Sequence, residues 1–432
     1  MNGWKTIPIM KTALLSFAIA SVLAASARGD GFTATGSMAY DRYDHTATRL
    51  LDGRVLVVGG IGDDTDPGAT AELYDPATGA WTNASSLDQP RRFQTATLLP
   101  NGKVLVAGGV SVTAYGPFGV NPMLYNPTNG TWSNSGGGAG HYYGHTATLL
   151  PGGKVLIVGG YLDGGAGFHA TRTAMLYDSA SNSSVYTGSL GAARVFHSAT
   201  LLPNGKVLVA GGGTNTVEWY NPTTGTWTNT GSLDPALSVD TATLLPNGKV
   251  LAVGGTNAEL FDPAAGSWSP TGNPAASGSA TLLPNGKVLV VGTIYGEFGQ
   301  YTPSAELYDP ATGTWSPARS PVFPRSGHTA TLLPNGRVLL TGGFYNTAEL
   351  YQSSLNPITN PVRLGDGSFQ FRFSNPSGVS YRVFAGTNPG APLNAWSNLG
   401  SATESPSGSG QFQFTDHQAT NYPRRFYRVR SP

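Results

Sequence analysis

The sequence predicts an all-β protein: a seven-bladed β-propeller closed by an N-terminal strand, followed by a small antiparallel β-domain. Three observations predict it. A block of the form His-Thr-Ala-Thr-Leu-Leu-Pro-Asn-Gly-Lys-Val-Leu recurs seven times along the chain. Each copy carries the signals of four short strands and their turns. The seventh copy lacks its fourth strand, and a matching segment stands at the other end of the chain.

The elements follow in order. Lys5 and Lys11 precede an apolar run from Ala13 to Ala25, too short to span a bilayer, and Ala25-Ser26-Ala27 is a small-residue cleavage site. This reads as a signal peptide cut after Ala27, with Met10 as a second possible start, and implies a secreted or periplasmic protein. Residues 28–355 then form the propeller. Phe32-Thr33-Ala34-Thr35-Gly36-Ser37-Met38 matches Trp227-Thr228-Asn229-Thr230-Gly231-Ser232-Leu233 position by position, so it is the missing strand. The recurring block opens at His45, Gln94, His145, His197, Asp240, Gly278 and His328, at spacings of 49, 51, 52, 43, 38 and 50 residues. Within a copy, the first strand leads into a Pro-Asn-Gly turn, whose Asn-Gly suits the positive φ angles of a tight hairpin. The second strand is a continuous apolar run such as Val104 to Ala107, the mark of a strand covered on both faces, and it ends in Gly-Gly. The third carries Ala71-Glu72-Leu73-Tyr74 in the first copy, and Asp75-Pro76-Ala77-Thr78-Gly79 turns into a fourth strand that begins at Trp81.

The Gly-Gly, the third-strand Tyr and a Trp seven residues later resemble the kelch repeat. Tyr74 and Trp81, Tyr125 and Trp132, Tyr220 and Trp227, Phe261 and Trp268, and Tyr308 and Trp315 keep that interval. The resemblance spans residues 32 to 355. The third copy has Tyr177 without the Trp, and the sixth has Gly292-Thr293 in place of Gly-Gly. Residues 356–361, with two prolines, read as a linker. In residues 362–432, Phe369 to Phe373, Tyr381 to Phe384, Phe412 to Phe414 and Phe426 to Val429 read as strands of the second domain.

Composition removes several function classes. Without Lys5 and Lys11 the chain has 23 basic against 24 acidic residues, so it has no basic surplus for nucleic acid. No stretch beyond the leader is apolar enough for a membrane span. Cys is absent, which removes thiol nucleophiles and cysteine metal ligands. Among enzymes on this fold, those resembling galactose oxidase use copper and a tyrosine cross-linked to cysteine, a cofactor this chain cannot form. Asp309-Pro310-Ala311-Thr312-Gly313-Thr314-Trp315 resembles a sialidase box, but its Asp-to-Gly gap is two residues too long. No Gly-x-Ser-x-Gly elbow, His-Glu-x-x-His motif or phosphate loop is present.

Function is therefore sought on one face. Turns joining strands one to two and three to four are uniform, whereas the loops joining two to three and blade to blade vary, as loops do where a scaffold carries a site. Aromatics gather there: Tyr115, Phe118, Tyr161, Phe168, Tyr295, Phe298, Tyr301, Phe344 and Tyr345. They suit sugar rings or a protein partner, or pack on one another. The densest polar set lies in blade three: His141, Tyr142, Tyr143 and His145 before its first strand, and Asp163, His169 and Arg172 in its two-to-three loop. His141, Tyr142, Tyr143, His169 and Arg172 are taken as ligand-binding candidates. Arg42, Arg91, Arg194 and Arg325, each three residues before the recurring block, join them as anion binders. The alternative for these arginines is an ion pair with third-strand Glu72, Glu218, Glu306 or Glu349, in the same or the next blade. The repeated His45, His145, His197 and His328 are assigned a structural hydrogen-bonding role, since a residue recurring in several blades serves the repeat. Asp63, Asp64 and Asp66 lack the spacing of a calcium loop. The expected function is that of a monomeric, non-catalytic protein binding a carbohydrate or protein ligand, with no cofactor and no metal. The alternative is a sugar epimerase or lyase using Glu297, Asp163, His141 or His169 as acid or base.

Overall fold

The computed structural model describes residues 31–62, 67–113, 116–136, 142–164, 167–235, 237–276, 278–296, 300–353, 359–374, 381–386, 396–404, 411–419 and 426–430. The leader, the Asp63, Asp64 and Asp66 cluster, Tyr115, His141, Glu297 and Phe298 lie outside these residues. No helix among the described residues is long and apolar enough to cross a membrane.

The chain divides into two compact units, one of Gly31–Leu283 with Lys287–Gln352 and one containing Ser353–Pro432. The first is a β-propeller of antiparallel four-stranded sheets, one for each copy of the recurring block. Blade one is Thr46–Arg49, Val55–Val58, Ala71–Asp75 and Ala80–Ala84, hydrogen-bonded in that order. The second strand is buried throughout, as its unbroken apolar run requires. In blade seven the fourth strand is Gly31–Ala34, antiparallel to Ala348–Gln352, with Phe32 opposite Tyr351 and the two rings 5.0 Å apart. The first strands of consecutive blades are neighbours, and that of blade one, Thr46–Arg49, also neighbours that of blade seven, Thr329–Leu332.

The repeated residues have mechanical reasons. In the Pro-Asn-Gly turn, the Asn101 side chain accepts from the Lys103 amide at 3.1 Å while Gly102 takes φ +80°. The Tyr–Trp interval is a cross-strand pair: Tyr74 faces Trp81 in register, ring centroids 5.0 Å apart. In blades one, two and four the indole then ties its blade to the one before. Trp81 donates to the Gly36 carbonyl at 2.7 Å, Trp132 to Ser85 at 2.7 Å and Trp227 to Gly188 at 2.6 Å. Blade three lacks the Trp, and there the Tyr177 hydroxyl donates to Asn182 instead, at 2.9 Å.

The variable loops contain more regular structure than loop composition suggests. Blade two carries the hairpin Val110–Thr113 with Gly116–Gly119, and blade three a three-stranded sheet of Tyr142–Tyr143, Tyr161–Asp163 and Phe168–Ala170. In blade six the second and third strands lengthen to Val288–Tyr295 and Tyr301–Asp309.

The second unit has a four-stranded sheet, Thr359–Arg363, Phe369–Ser374, Gln411–Asp416 and Thr403–Glu404, and a three-stranded one, Ser397–Ser401, Arg382–Gly386 and Phe426–Arg430. Phe369, Phe371 and Phe373 alternate into an aromatic core with Tyr381, Phe412 and Tyr427. The linker reading of residues 356–361 needs correction, because Thr359 to Pro361 already belong to a strand of this unit.

Candidate functional site

The first strand of every blade starts at one mouth of the propeller, and the residues just before it form concentric rings. The outermost ring holds the arginines. Arg42, Arg91, Arg194 and Arg325 are all but inaccessible, at 0–1% exposure. In blade one, Arg42 pairs with Glu72 at 2.6 Å and also donates to the Gly59 carbonyl and the Thr70 hydroxyl. Blades four and seven repeat this with Arg194 and Glu218 at 3.1 Å, and Arg325 and Glu349 at 2.8 Å. The ion pair is therefore made within the blade. Blade two has Met123 where the Glu would stand, and Arg91 uses Asp88 at 3.0 Å and the Asn121 carbonyl at 2.8 Å. These guanidinium groups hold the blade together, and the ligand role first given to them does not fit their burial.

The next ring holds the histidines, and they join blades. His145 shares a hydrogen bond with Thr95 of blade two at 2.9 Å, His197 with Thr146 of blade three at 2.8 Å, and His328 with Ser279 of blade six at 2.7 Å. His45 meets Thr329 and Thr341 of blade seven at 3.1 and 3.0 Å. The first glycine of Gly-Gly makes room for the following imidazole: a Cβ on Gly342 would sit 2.6 Å from His45 Cε1. Burial disfavours the charged ring, pulling His145 and His328 down to about 4 and His197 to about 3, and His45 well below its usual value. All four are neutral at pH 7.

The innermost ring lies one residue before the recurring block. Asp44, Phe93, Gly144, Phe196 and Gly327 share a left-handed backbone, with φ of +56°, +55°, +64°, +52° and +64°. The conformation has a cause. The amide of Asp44 donates to the Gly327 carbonyl, Phe93 to Asp44, Gly144 to Phe93 and Phe196 to Gly144, at 2.7–3.3 Å. This belt runs from blade seven to blade four, and a Phe in a region that disfavours side chains is its consequence.

Inside the rings is a cavity of about 680 Å³, lined by residues at or near the start of each copy of the recurring block. Asp44, Asp240, Thr241, Ser279, Ser326 and Tyr295 give it polar groups, and Phe93 and Phe196 an aromatic wall. Desolvation raises the Asp44 carboxyl to about 6, partly offset by Arg92. Arg92 itself lies over the Phe93 ring, 5.2 Å from its centroid. Three residues lining the cavity carry a buried polar atom without a hydrogen-bond partner among the described residues: Gln94 Oε1, His145 Nδ1 and His197 Nδ1.

The blade-three candidates separate. Tyr142 is buried in the core with Leu99, Leu105 and Val155, occupying the place held by arginine in other blades, so it packs rather than binds. Tyr143 joins an aromatic cluster behind the cavity wall, stacked on Tyr161 at 5.0 Å, edge-on to Phe168 at 4.8 Å and 6.2 Å from Phe93. His169 and Arg172 are exposed and do not line the cavity. Asp44, Phe93, Phe196 and Asp240 were missed as cavity residues, whereas Tyr295 was already placed on this face. A signal existed for the first three: they occupy the position where two copies carry Gly.

Residues 42–87 match the family model of the Kelch motif. No curated protein sequence is similar enough to match the chain. Among solved structures, a fungal alcohol oxidase of the AA5 family, in complex with copper, is 16% identical, with a TM-score of 0.60 over 90% of this chain and 92% of its own. A second, YjhT, is 15% identical with a TM-score of 0.49, over 64% of this chain and 97% of its own. The residues here do not fit a copper centre. The chain has no Cys, no group of three or more His, Cys, Asp or Glu forms a metal cage among the described residues, and the cavity histidines give Nε2 to Ser and Thr hydroxyls. Residues 42–87 thus carry a Kelch motif, within a chain whose fold is similar to that of the alcohol oxidase.

Proposed function

We propose that the propeller closes as a ring of seven blades and binds a carbohydrate in the cavity at its mouth. Pairing of Gly31–Ala34 with Ala348–Gln352 supports the closure. One observation carries the binding reading: an aromatic wall, Phe93 and Phe196, faces hydroxyls and carboxylates across a cavity of about 680 Å³. That volume lies in the range of small-molecule sites, and the mixture suits a ring with an apolar face and a polar edge. The leader would export the protein, with cleavage after Ala27.

A glycan array probed with the mature protein tests this. Phe196→Ala and Tyr295→Ala should each weaken a positive signal about tenfold, while Lys103→Ala, on the uniform opposite face, should not. Loss of binding in the Lys103 variant alone would place the site on the wrong face.

A second reading is favoured by Asp44. Asp44, its carboxyl raised to about 6, and Asp240 line one cavity, and together they would supply the acid and the base that an epimerase or lyase needs. Asp44→Asn should then abolish turnover of a bound sugar and spare its binding. Binding with no turnover by the unaltered protein leaves the non-catalytic reading.

A further inference from the structure

We propose that the ligand is an extended oligosaccharide chain lying across the mouth, not a single sugar ring. The inference rests on the carbohydrate reading above. Aromatic surface stands on two sides of the cavity. On one side, Phe93 and Phe196 meet edge to face at 5.2 Å, backed by Tyr143. On the other, blades six, seven and one present three ring pairs: Tyr295 with Tyr301 at 5.4 Å, Phe323 with Tyr345 at 5.0 Å, and Tyr43 with Phe344 at 5.6 Å.

These rings are not core. Tyr295 is 64% exposed, Tyr301 54%, Phe344 40% and Tyr345 38%. Phe344 also has φ +76°, a conformation that the residue after Gly-Gly in blade four meets with glycine, Gly213 at +89°. A bulky ring kept strained and half in water is not kept for packing, and such outliers gather at binding sites. The pairs are continuous with the cavity. Tyr295 lines it and hydrogen-bonds Ser326, another lining residue, at 3.0 Å, and Tyr43 precedes lining Asp44.

Geometry then decides between one ring and several. A single sugar seated in the cavity uses Phe93, Phe196 and Tyr295 and leaves the Phe323–Tyr345 and Tyr43–Phe344 pairs without a role. A chain running outward over Tyr295 towards Phe344 and Tyr345 gives each pair a ring to stack on. Hydroxyls between the pairs, from Tyr295 and Ser326, suit the polar edges that recur along a saccharide.

The test is isothermal titration calorimetry of the full mature chain with cello-, manno-, xylo-, malto- and chito-oligosaccharides of one to six units. In any series that binds, affinity should rise by about tenfold or more between one and four units and then level off. The double variant Phe344→Ala, Tyr345→Ala should lose this gain and keep the affinity for the shortest binder. Phe196→Ala should lower affinity at every length. Equal affinity at all lengths, still lowered by Phe196→Ala, overturns the chain and leaves the cavity site standing. Absence of binding in every series overturns both.

Discussion

Acid should destabilise the propeller through its histidine ring, by an amount the structure allows one to work out. His145, His197 and His328 stay neutral in the folded state down to about 4, 3 and 4, and His45 likewise titrates well below its usual value. Unfolded, each takes a proton near pH 6.5. Between these limits the unfolded chain binds more protons than the folded one, so stability falls as pH falls. At pH 5.5 an unfolded histidine is protonated about ten to one, which costs the fold roughly 1.4 kcal/mol per ring and about 5–6 kcal/mol for four. Asp44 works the other way. Its folded carboxyl, raised to about 6, binds protons before the unfolded one does and returns roughly 0.8 kcal/mol at pH 5.5. The histidines win. Below about pH 4 the folded rings also charge, and the loss levels off.

Urea unfolding followed by tryptophan fluorescence at pH 7.5, 6.5 and 5.5 measures this. Six of the eight tryptophans lie in the propeller, so the signal reports on it. The repeat contains its own control. Blade two has Gln94 at the histidine position, where its amide donates to the Val58 carbonyl at 2.8 Å. His145→Gln should therefore fold, and should remove about one quarter of the acid loss, roughly 1.4 kcal/mol at pH 5.5. A stability that is flat from pH 7.5 to 5.5, or a pH slope unchanged in His145→Gln, refutes the argument.

Three further outcomes are expected. Arg42→Met leaves Glu72 buried without its ion-pair partner and should cost about 3–5 kcal/mol in urea unfolding, whereas Arg172→Met on the surface should cost under ~0.5 kcal/mol. Deleting residues 28–38 removes Phe32 and Met38 from the core and should lower stability by several kcal/mol, at ~1.5–3 kcal/mol per buried side chain; an unchanged melting temperature would refute the role of this strand. Tyr142→Ala should destabilise by ~3–5 kcal/mol, while Phe196→Gly, which relieves a positive φ, should change stability by less than ~1 kcal/mol and still weaken glycan binding.

The blade repeat was legible because each motif has a strictly local cause. Asn-Gly makes its own turn, Tyr and Trp seven apart face each other across one hairpin, and an unbroken apolar run needs cover on both faces. The arginine partners were not legible, and the reason is chemical. The carboxylate has a second, constant duty. Glu72, Glu218, Glu259, Glu306 and Glu349 each accept a backbone amide from the connection into the blade: Ala39, Gly191, Asp234, Ala275 and Val322, at 2.6–3.1 Å. Glu259 and Glu306 persist in blades that have no arginine, so the co-occurrence of Arg and Glu could not reveal which pairs form. Tyr142 misled for a related reason. Beside Tyr143 in a loop-like segment it reads as surface, yet it fills the arginine's place in the core.

Repetition also explains why the site is found where the copies differ. A position filled alike from blade to blade meets the same partners each time and makes a ring of like contacts, as the arginines do within their blades and the histidines do between blades. Such a ring has no preferred direction, whereas a sugar has a distinct face and edge. Direction must come from positions whose backbone is shared and whose side chains are not. The innermost ring meets that condition: one left-handed conformation holds Asp44, Phe93, Gly144, Phe196 and Gly327 in sequence around the mouth. Gly144 is part of the arrangement, since a Cβ there would lie 3.0 Å from the Phe196 ring. Blades five and six, where Asp240 and Gly278 replace histidine, break the ring opposite this wall and bring Thr241, Thr293 and Tyr295 to the cavity. The belt of backbone hydrogen bonds thus fixes where each side chain stands, and the departures from the repeat decide what the mouth can hold.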